Sequence, residues 1–152
     1  MEKQVLNTYA LASDHAGFEL KEKIKSYLKE NSYNIIDLGP FSNESVDYPD
    51  YGKTLGKFVL ENKNALGIAI CGSGIGISIA ANRFPHIRAA LCKDIVSCEL
   101  ARLHNDANIL VLGGRLISKN LAIECIHKFL NTNFEGGRHI NRVNKLSNPP
   151  IL

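Results

Sequence analysis

The run Ile70-Cys71-Gly72-Ser73-Gly74-Ile75-Gly76-Ile77-Ser78 places a thiol at the mouth of a glycine-rich turn between an apolar strand and a helix. Such a turn lets backbone N–H groups point at a ligand, and the positive end of the following helix favours negative charge there. A free thiol has a pKa of about 8.5, and these surroundings favour its thiolate. Cys71 is therefore a candidate base, nucleophile or redox thiol, with an anion cradle in Gly72, Ser73, Gly74, Ile75 and Gly76 beside it. The turn is not the dinucleotide fingerprint, because Ile77 stands where the third glycine would be. Nor is it a Walker loop, since the Lys-Ser/Thr ending is missing.

Three further groups of residues could do chemistry. Asp14-His15 follows the first apolar run, where either Ser13 or Asp14 would also serve as a helix cap. His104-Asn105-Asp106 ends a helical stretch and reads either as a titratable group or as a cationic helix end closed by a turn. Arg138 and Arg142 lie four residues apart. If helical, they share a face, which suits a phosphate but also describes a solvated basic surface. The five histidines, at 15, 86, 104, 127 and 139, show no paired ligand spacing, so no metal site is expected.

The elements that must position these groups alternate. Apolar runs at Tyr9–Ala12, Tyr33–Leu38, Ala65–Ile70, Ile87–Leu91 and Ile109–Leu112 predict five strands. Helical spacing covers Phe18–Glu30, Asp50–Asn62, Ile77–Asn82, Asp94–His104 and Ser118–Asn131. Parallel strands need crossovers, so this alternation predicts a three-layer, Rossmann-like, doubly wound α/β fold with a five-stranded parallel sheet. Ligands then bind beyond the carboxyl ends of the strands, where Asp14-His15, Cys71 to Gly76, Lys93-Asp94 and Arg115 fall.

The 152 residues fit one domain, and a net charge of +3 spread along the chain calls for no nucleic acid. No apolar stretch approaches the roughly 20 residues of a membrane span, and the first residues do not open a signal peptide. A cytoplasmic protein is expected. Its four cysteines, at 71, 92, 98 and 125, form no Cys-x-x-Cys pair and are expected to stay reduced. The tail from residue 133 onward follows a completed sheet with few surfaces left to cover it, and is expected to dock on a partner subunit.

Five motifs together carry a resemblance: Ser13-Asp14-His15-Ala16-Gly17-Phe18, Asp47-Tyr48-Pro49, the stretch Cys71 to Asn82, Arg102-Leu103-His104-Asn105-Asp106, and Glu135-Gly136-Gly137-Arg138-His139. In this order and over nearly the whole chain, the sequence resembles the ribose-5-phosphate isomerase B family, which includes galactose-6-phosphate isomerase subunits. The resemblance implies aldose–ketose isomerisation of ribose 5-phosphate and ribulose 5-phosphate in the non-oxidative pentose phosphate pathway, with no metal or organic cofactor. It also implies a homodimer or dimer of dimers with sites shared between subunits, and makes residues 133–152 a dimerisation arm.

By the same resemblance Cys71 is the base that moves a proton between C2 and C1 through a cis-enediolate. The Gly72 to Gly76 amides become the anion hole. Ser73, where many members carry threonine, shuttles a proton between O1 and O2, and His104 opens the furanose ring. Asp14 and Asn105 contact sugar hydroxyls, His15, Arg115, Arg138 and Arg142 hold the phosphate, and Tyr48 walls the pocket. Some members place a glutamate after the glycine loop, where this chain has Ile77. Rival readings are an isomerase of a six-carbon sugar phosphate such as allose or galactose 6-phosphate, a non-catalytic phosphate-binding module, and a Cys71–His104 hydrolase dyad.

Overall fold

A computed structural model describes residues 7–147. The chain runs β1 (Thr8–Ser13), α1 (Phe18–Glu30), β2 (Ile35–Asp37), α2 (Tyr48–Glu61), β3 (Ala65–Cys71), α3 (Ile75–Ala81), β4 (Ala89–Leu91), α4 (Ile95–Asn105), β5 (Ile109–Gly113), α5 (Lys119–Leu130) and α6 (His139–Ser147). All strand pairs are parallel, and the order across the sheet is β2-β1-β3-β5-β4. The expected five-stranded α/β sheet, covered on both faces, is what forms. Among the described residues no helix is long and apolar enough to cross a membrane.

Period-two alternation along the strands sorts the core into two layers. Leu11, Ile68, Ile70, Leu110 and Leu112 face α1, α4 and α5, packing on Ile24, Leu28, Ile126 and Phe129. Ala10, Ala12, Ala69, Ile109 and Val111 face α2 and α3, packing on Leu55, Val59, Ile77 and Ala81. The four cysteines are buried free thiols and divide between these layers. Cys92, Cys98 and Cys125 lie in the first layer, where the Cys92 contact and burial together push the Cys98 thiol far up. Cys71 lies alone in the second.

Several boundaries differ from those read off the sequence. β2 is three residues long because Ser32 adopts φ 61° and the Tyr33 amide bonds back to the Leu28 carbonyl, keeping the chain in the helix-ending turn. Pro49 extends α2 backwards, since its fixed φ suits the first helical turn. α3 starts at Ile75 rather than Ile77, because Gly74 already turns the chain at φ 79°.

The carboxyl end of β2 carries an ion cluster built on a buried lysine. Lys21, fully enclosed, donates to both carboxylate oxygens of Asp37 at 2.7 and 2.8 Å, and Lys25 donates to Oδ2 at 2.9 Å. Asp37 Oδ1 also accepts the Gly39 N–H, so the same carboxylate anchors the start of the 39–47 loop. Burial raises this carboxyl, but the bonds from Lys21 and Lys25 outweigh it and hold Asp37 below the usual carboxylate range.

The tail finds a surface in its own domain, where few were expected to be left. His139 and Val143 are buried, the Glu135 amide donates to the Leu103 carbonyl at 3.1 Å, and Arg88 reaches the Ser147 hydroxyl at 3.3 Å. Ile140 and Leu146, on the same short helix, remain exposed.

Candidate active site

Cys71 ends β3 with its side chain 4 % exposed, and its Sγ accepts the Gly74 N–H at 3.2 Å. That bond needs the left-handed turn at Gly74, where an added Cβ would sit 2.5 Å from Leu91. Ser73 Oγ accepts the Ile75 amide at 3.2 Å, which holds the hydroxyl over the start of α3. An added Cβ at Gly76 would lie 2.6 Å from the Tyr48 ring, so the absence of a side chain lets Tyr48 lie against the cradle.

The neighbouring strand ends complete this group. Asp14 continues β1, its amide donating to the Ile70 carbonyl at 3.1 Å, and its buried carboxylate accepts the Gly17 N–H at 3.0 Å. Neither Asp14 nor Ser13 caps α1 as the sequence suggested: the N-cap is Gly17, without a side-chain cap bond, and the Asp14 carboxylate instead closes the turn before the helix through one oxygen. The His15 Nδ1 stands 3.1 Å from the Val46 carbonyl and 3.2 Å from its amide, which ties the ring to the 39–47 loop and leaves its chemistry to Nε2. After β5, the Gly114 and Arg115 amides donate to the Cys71 and Gly72 carbonyls, laying the Arg115 side chain against Gly72. Asp14, His15, Tyr48, Cys71 to Gly76 and Arg115 therefore share the carboxyl end of the sheet.

His104, Asn105, Arg138 and Arg142 do not join them. The register aligns Gly67 with Ile109 and Cys71 with Gly113, so residues leading into β5 lie at the amino end. Four residues of strand, roughly 13 Å, separate the two levels, and Asn105 lies further back still. The exposed Arg138 and Arg142 sit with this second group, Arg138 immediately before α6 and Arg142 within it.

The second group also contains residues that sequence spacing did not single out. The His104 and His139 rings stack at 4.4 Å and 14°, and Glu135 Oε2 lies 3.8 Å from the Nε2 of each. Gly136 and Gly137, at φ 71° and 57°, make the turn that returns His139 to Glu135. Burial pushes the His139 imidazole below its ordinary value, and neighbouring His104 and Arg138 act in the same direction. The motif Glu-Gly-Gly-Arg-His was visible, but the contact spans the 35 positions from His104 to His139 and leaves no local periodicity.

The arrangement thus offers a buried thiol, a buried carboxylate and an amide-lined turn at one end, with two imidazoles and two guanidinium groups at the other. A family model described as Ribose/Galactose Isomerase matches residues 9–146. The chain belongs to that family.

Within the ribose/galactose isomerase family, the ribose-5-phosphate isomerase B of Escherichia coli strain K12 is 42 % identical over 138 residues, covering 91 % of this chain and 93 % of that protein. A crystal structure of a ribose 5-phosphate isomerase from Thermotoga maritima superposes with a TM-score of 0.91 at 52 % identity, covering 93 % and 98 % of the two chains. The crystal structure of ribose-5-phosphate isomerase B from Mycoplasma genitalium with bound ribulose-5-phosphate gives 0.89 at 39 % identity, covering 93 % and 94 %. Membership makes the protein an isomerase and sets aside the binding-module and hydrolase readings.

Proposed function

We propose that the protein interconverts D-ribose 5-phosphate and D-ribulose 5-phosphate, with Cys71 carrying the proton. The observation that supports this most is the Cys71 sulfur, held by the Gly74 amide next to buried Asp14, in a chain related to ribose-5-phosphate isomerases along nearly all its length. An aldose–ketose isomerisation needs a base placed over C2 and C1 and donors for the oxyanion formed between them. The strand end supplies the first and the glycine turn the second.

The sugar arrives as a furanose. His104 takes the O1 proton and a proton is returned to the ring oxygen O4, breaking the C1–O4 bond and freeing the C1 aldehyde. The Cys71 thiolate then removes the C2 proton, and the electron pair moves through the new C1–C2 double bond onto O1, giving a cis-enediolate. Ser73 passes the O2 proton to O1. The Cys71 thiol returns its proton to C1, so the ketose forms with no net loss of atoms. Asp14 and Asn105 orient hydroxyls, Tyr48 closes one wall, and His15, Arg115, Arg138 and Arg142 bind the phosphate.

Because His104, Asn105, Arg138 and Arg142 lie at the other end of the sheet from Cys71, this assignment requires a second copy of the chain to complete each site. Exposed Tyr48, Ile75 and Ile79 support that reading, since they put apolar surface beside the cradle. A coupled assay across ribose 5-phosphate, allose 6-phosphate and galactose 6-phosphate tests the substrate. Ribose 5-phosphate is expected to give the highest kcat/KM by at least about tenfold, a difference within reach of about 1.4 kcal/mol of discrimination. A preference for either six-carbon substrate would contradict the assignment.

A further inference from the structure

Among the described residues, His104, Glu135 and His139 place one nitrogen or oxygen atom each within 4.8 Å of one another. Four-coordinate transition metals bind such donors at about 2.0–2.2 Å, which sets the donors roughly 3.4 Å apart. The two His–Glu separations of 3.8 Å need to close only slightly to meet that spacing. His139 contributes a second, independent observation: its Nε2 is buried and has no hydrogen-bond partner. A ring nitrogen in that position is incompletely satisfied, and a coordinate bond would supply the missing interaction.

The anchoring is uneven in a useful way. His139 is fixed by burial, Glu135 is exposed but its backbone is tied to Leu103, and His104 is half-buried at the end of α4. The stacked rings bring both Nε2 atoms to the same Glu135 oxygen, so closing on an ion asks the freer His104 ring to tilt towards Glu135. Two imidazoles and one carboxylate suit Zn2+, Co2+ or Ni2+ and fit poorly with Mg2+ or Ca2+, which prefer oxygen throughout.

We propose that His104, Glu135 and His139 form a binding site for one divalent transition-metal ion, and that its occupancy withdraws His104 from ring opening. The second half rests on the role given to His104 under the proposed function. Metal bound to the His104 imidazole competes with the O1 proton for it, so the filled site is inhibitory.

Titration of the full-length protein with Co2+, followed by equilibrium dialysis and visible d–d absorption, tests the site without reference to activity. One Co2+ per chain is expected, with Glu135→Gln and His139→Ala each weakening binding by at least about tenfold. Glu135 is exposed, so its variant carries the test if His139→Ala fails to fold. Cys71→Ser is expected to bind Co2+ like the wild type, which separates this site from a thiolate complex. Absence of saturable uptake, unchanged affinity in Glu135→Gln, or loss of binding in Cys71→Ser would overturn the assignment. Co2+ should also slow turnover of ribose 5-phosphate in proportion to occupancy, with recovery on adding a chelator. Stoichiometric binding with unchanged turnover would overturn the inhibitory half and, with it, the ring-opening role of His104, while leaving the metal site standing.

Discussion

The carboxyl end of the sheet and the far end of α4 carry chemically complementary groups but are built by different means. Around Cys71, strand ends and backbone groups fix the side chains: Gly74 bonds the sulfur, Gly17 one oxygen of the Asp14 carboxylate, and Val46 the His15 Nδ1. Around His104, a helix terminus meets a tail turned by two glycines, and the arginines are exposed. A proton-transfer base needs fixed geometry, whereas groups that open a ring and capture a phosphate must admit a substrate before they close on it. Under the proposed function, the contrast fits a division of labour in which the first region carries the proton transfer and the second opens the ring, with phosphate ligands drawn from both.

The contrast is broken most severely at Cys71. Cys71→Ala is expected to lower kcat about 10³-fold with folding intact, as removal of a general base does, measured by steady-state kinetics alongside circular dichroism. Retention of wild-type kcat would remove the thiol from the mechanism.

Asp37 probes the scaffold under the same region. Asp37→Asn leaves the enclosed Lys21 short of its main counter-charge and is expected to cost about 3 kcal/mol at pH 7, read from urea midpoints. The Asp37 carboxyl titrates lower in the folded chain than in the unfolded one, so the unfolded state takes up its proton first. Its stabilisation is therefore complete above the ordinary aspartate pKa of about 3.9 and fades as pH falls through the lower folded value. The gap between wild type and variant should shrink correspondingly at pH 3.

Two alanines then compare rigidity directly. Gly74 and Gly137 both adopt positive φ, but a Cβ at Gly74 meets Leu91 at 2.5 Å and Leu112 backbone at 3.1 Å, while one at Gly137 meets nothing within 4 Å. Gly74→Ala is expected to cost about 3 kcal/mol, combining backbone strain with a clash, and Gly137→Ala about 1 kcal/mol from strain alone. Equal losses in thermal or urea unfolding would mean that the two turns are equally confined.

Much of this was legible beforehand, for local reasons. Apolar strands and helix-period spacing announce their elements without tertiary help, and Asp94 and Ser118, read as helix starts, prove to be N-caps that accept the Ser97 and Leu121 amides. The placing of β5 between β3 and β4 was not legible, because two short apolar runs with similar crossovers can be laid down in either order. The start of α3 was missed because three glycines in alternation hide which one turns the chain. The site motifs were all visible as residues, but their separation to two ends of the sheet follows from strand register and cannot be read from spacing. The contact of His104 with Glu135 and His139 was hidden for the same reason.

The central claim is that each working site combines Cys71 of one copy with His104 of another. Cys71→Ala and His104→Ala proteins, each inactive alone, are mixed, allowed to exchange subunits and assayed with ribose 5-phosphate, while native mass spectrometry confirms mixed dimers. Random pairing of equal amounts leaves one intact site in half of the dimers, so the mixture should recover about one-quarter of wild-type activity. Mixed dimers that form but remain inactive would contradict the claim.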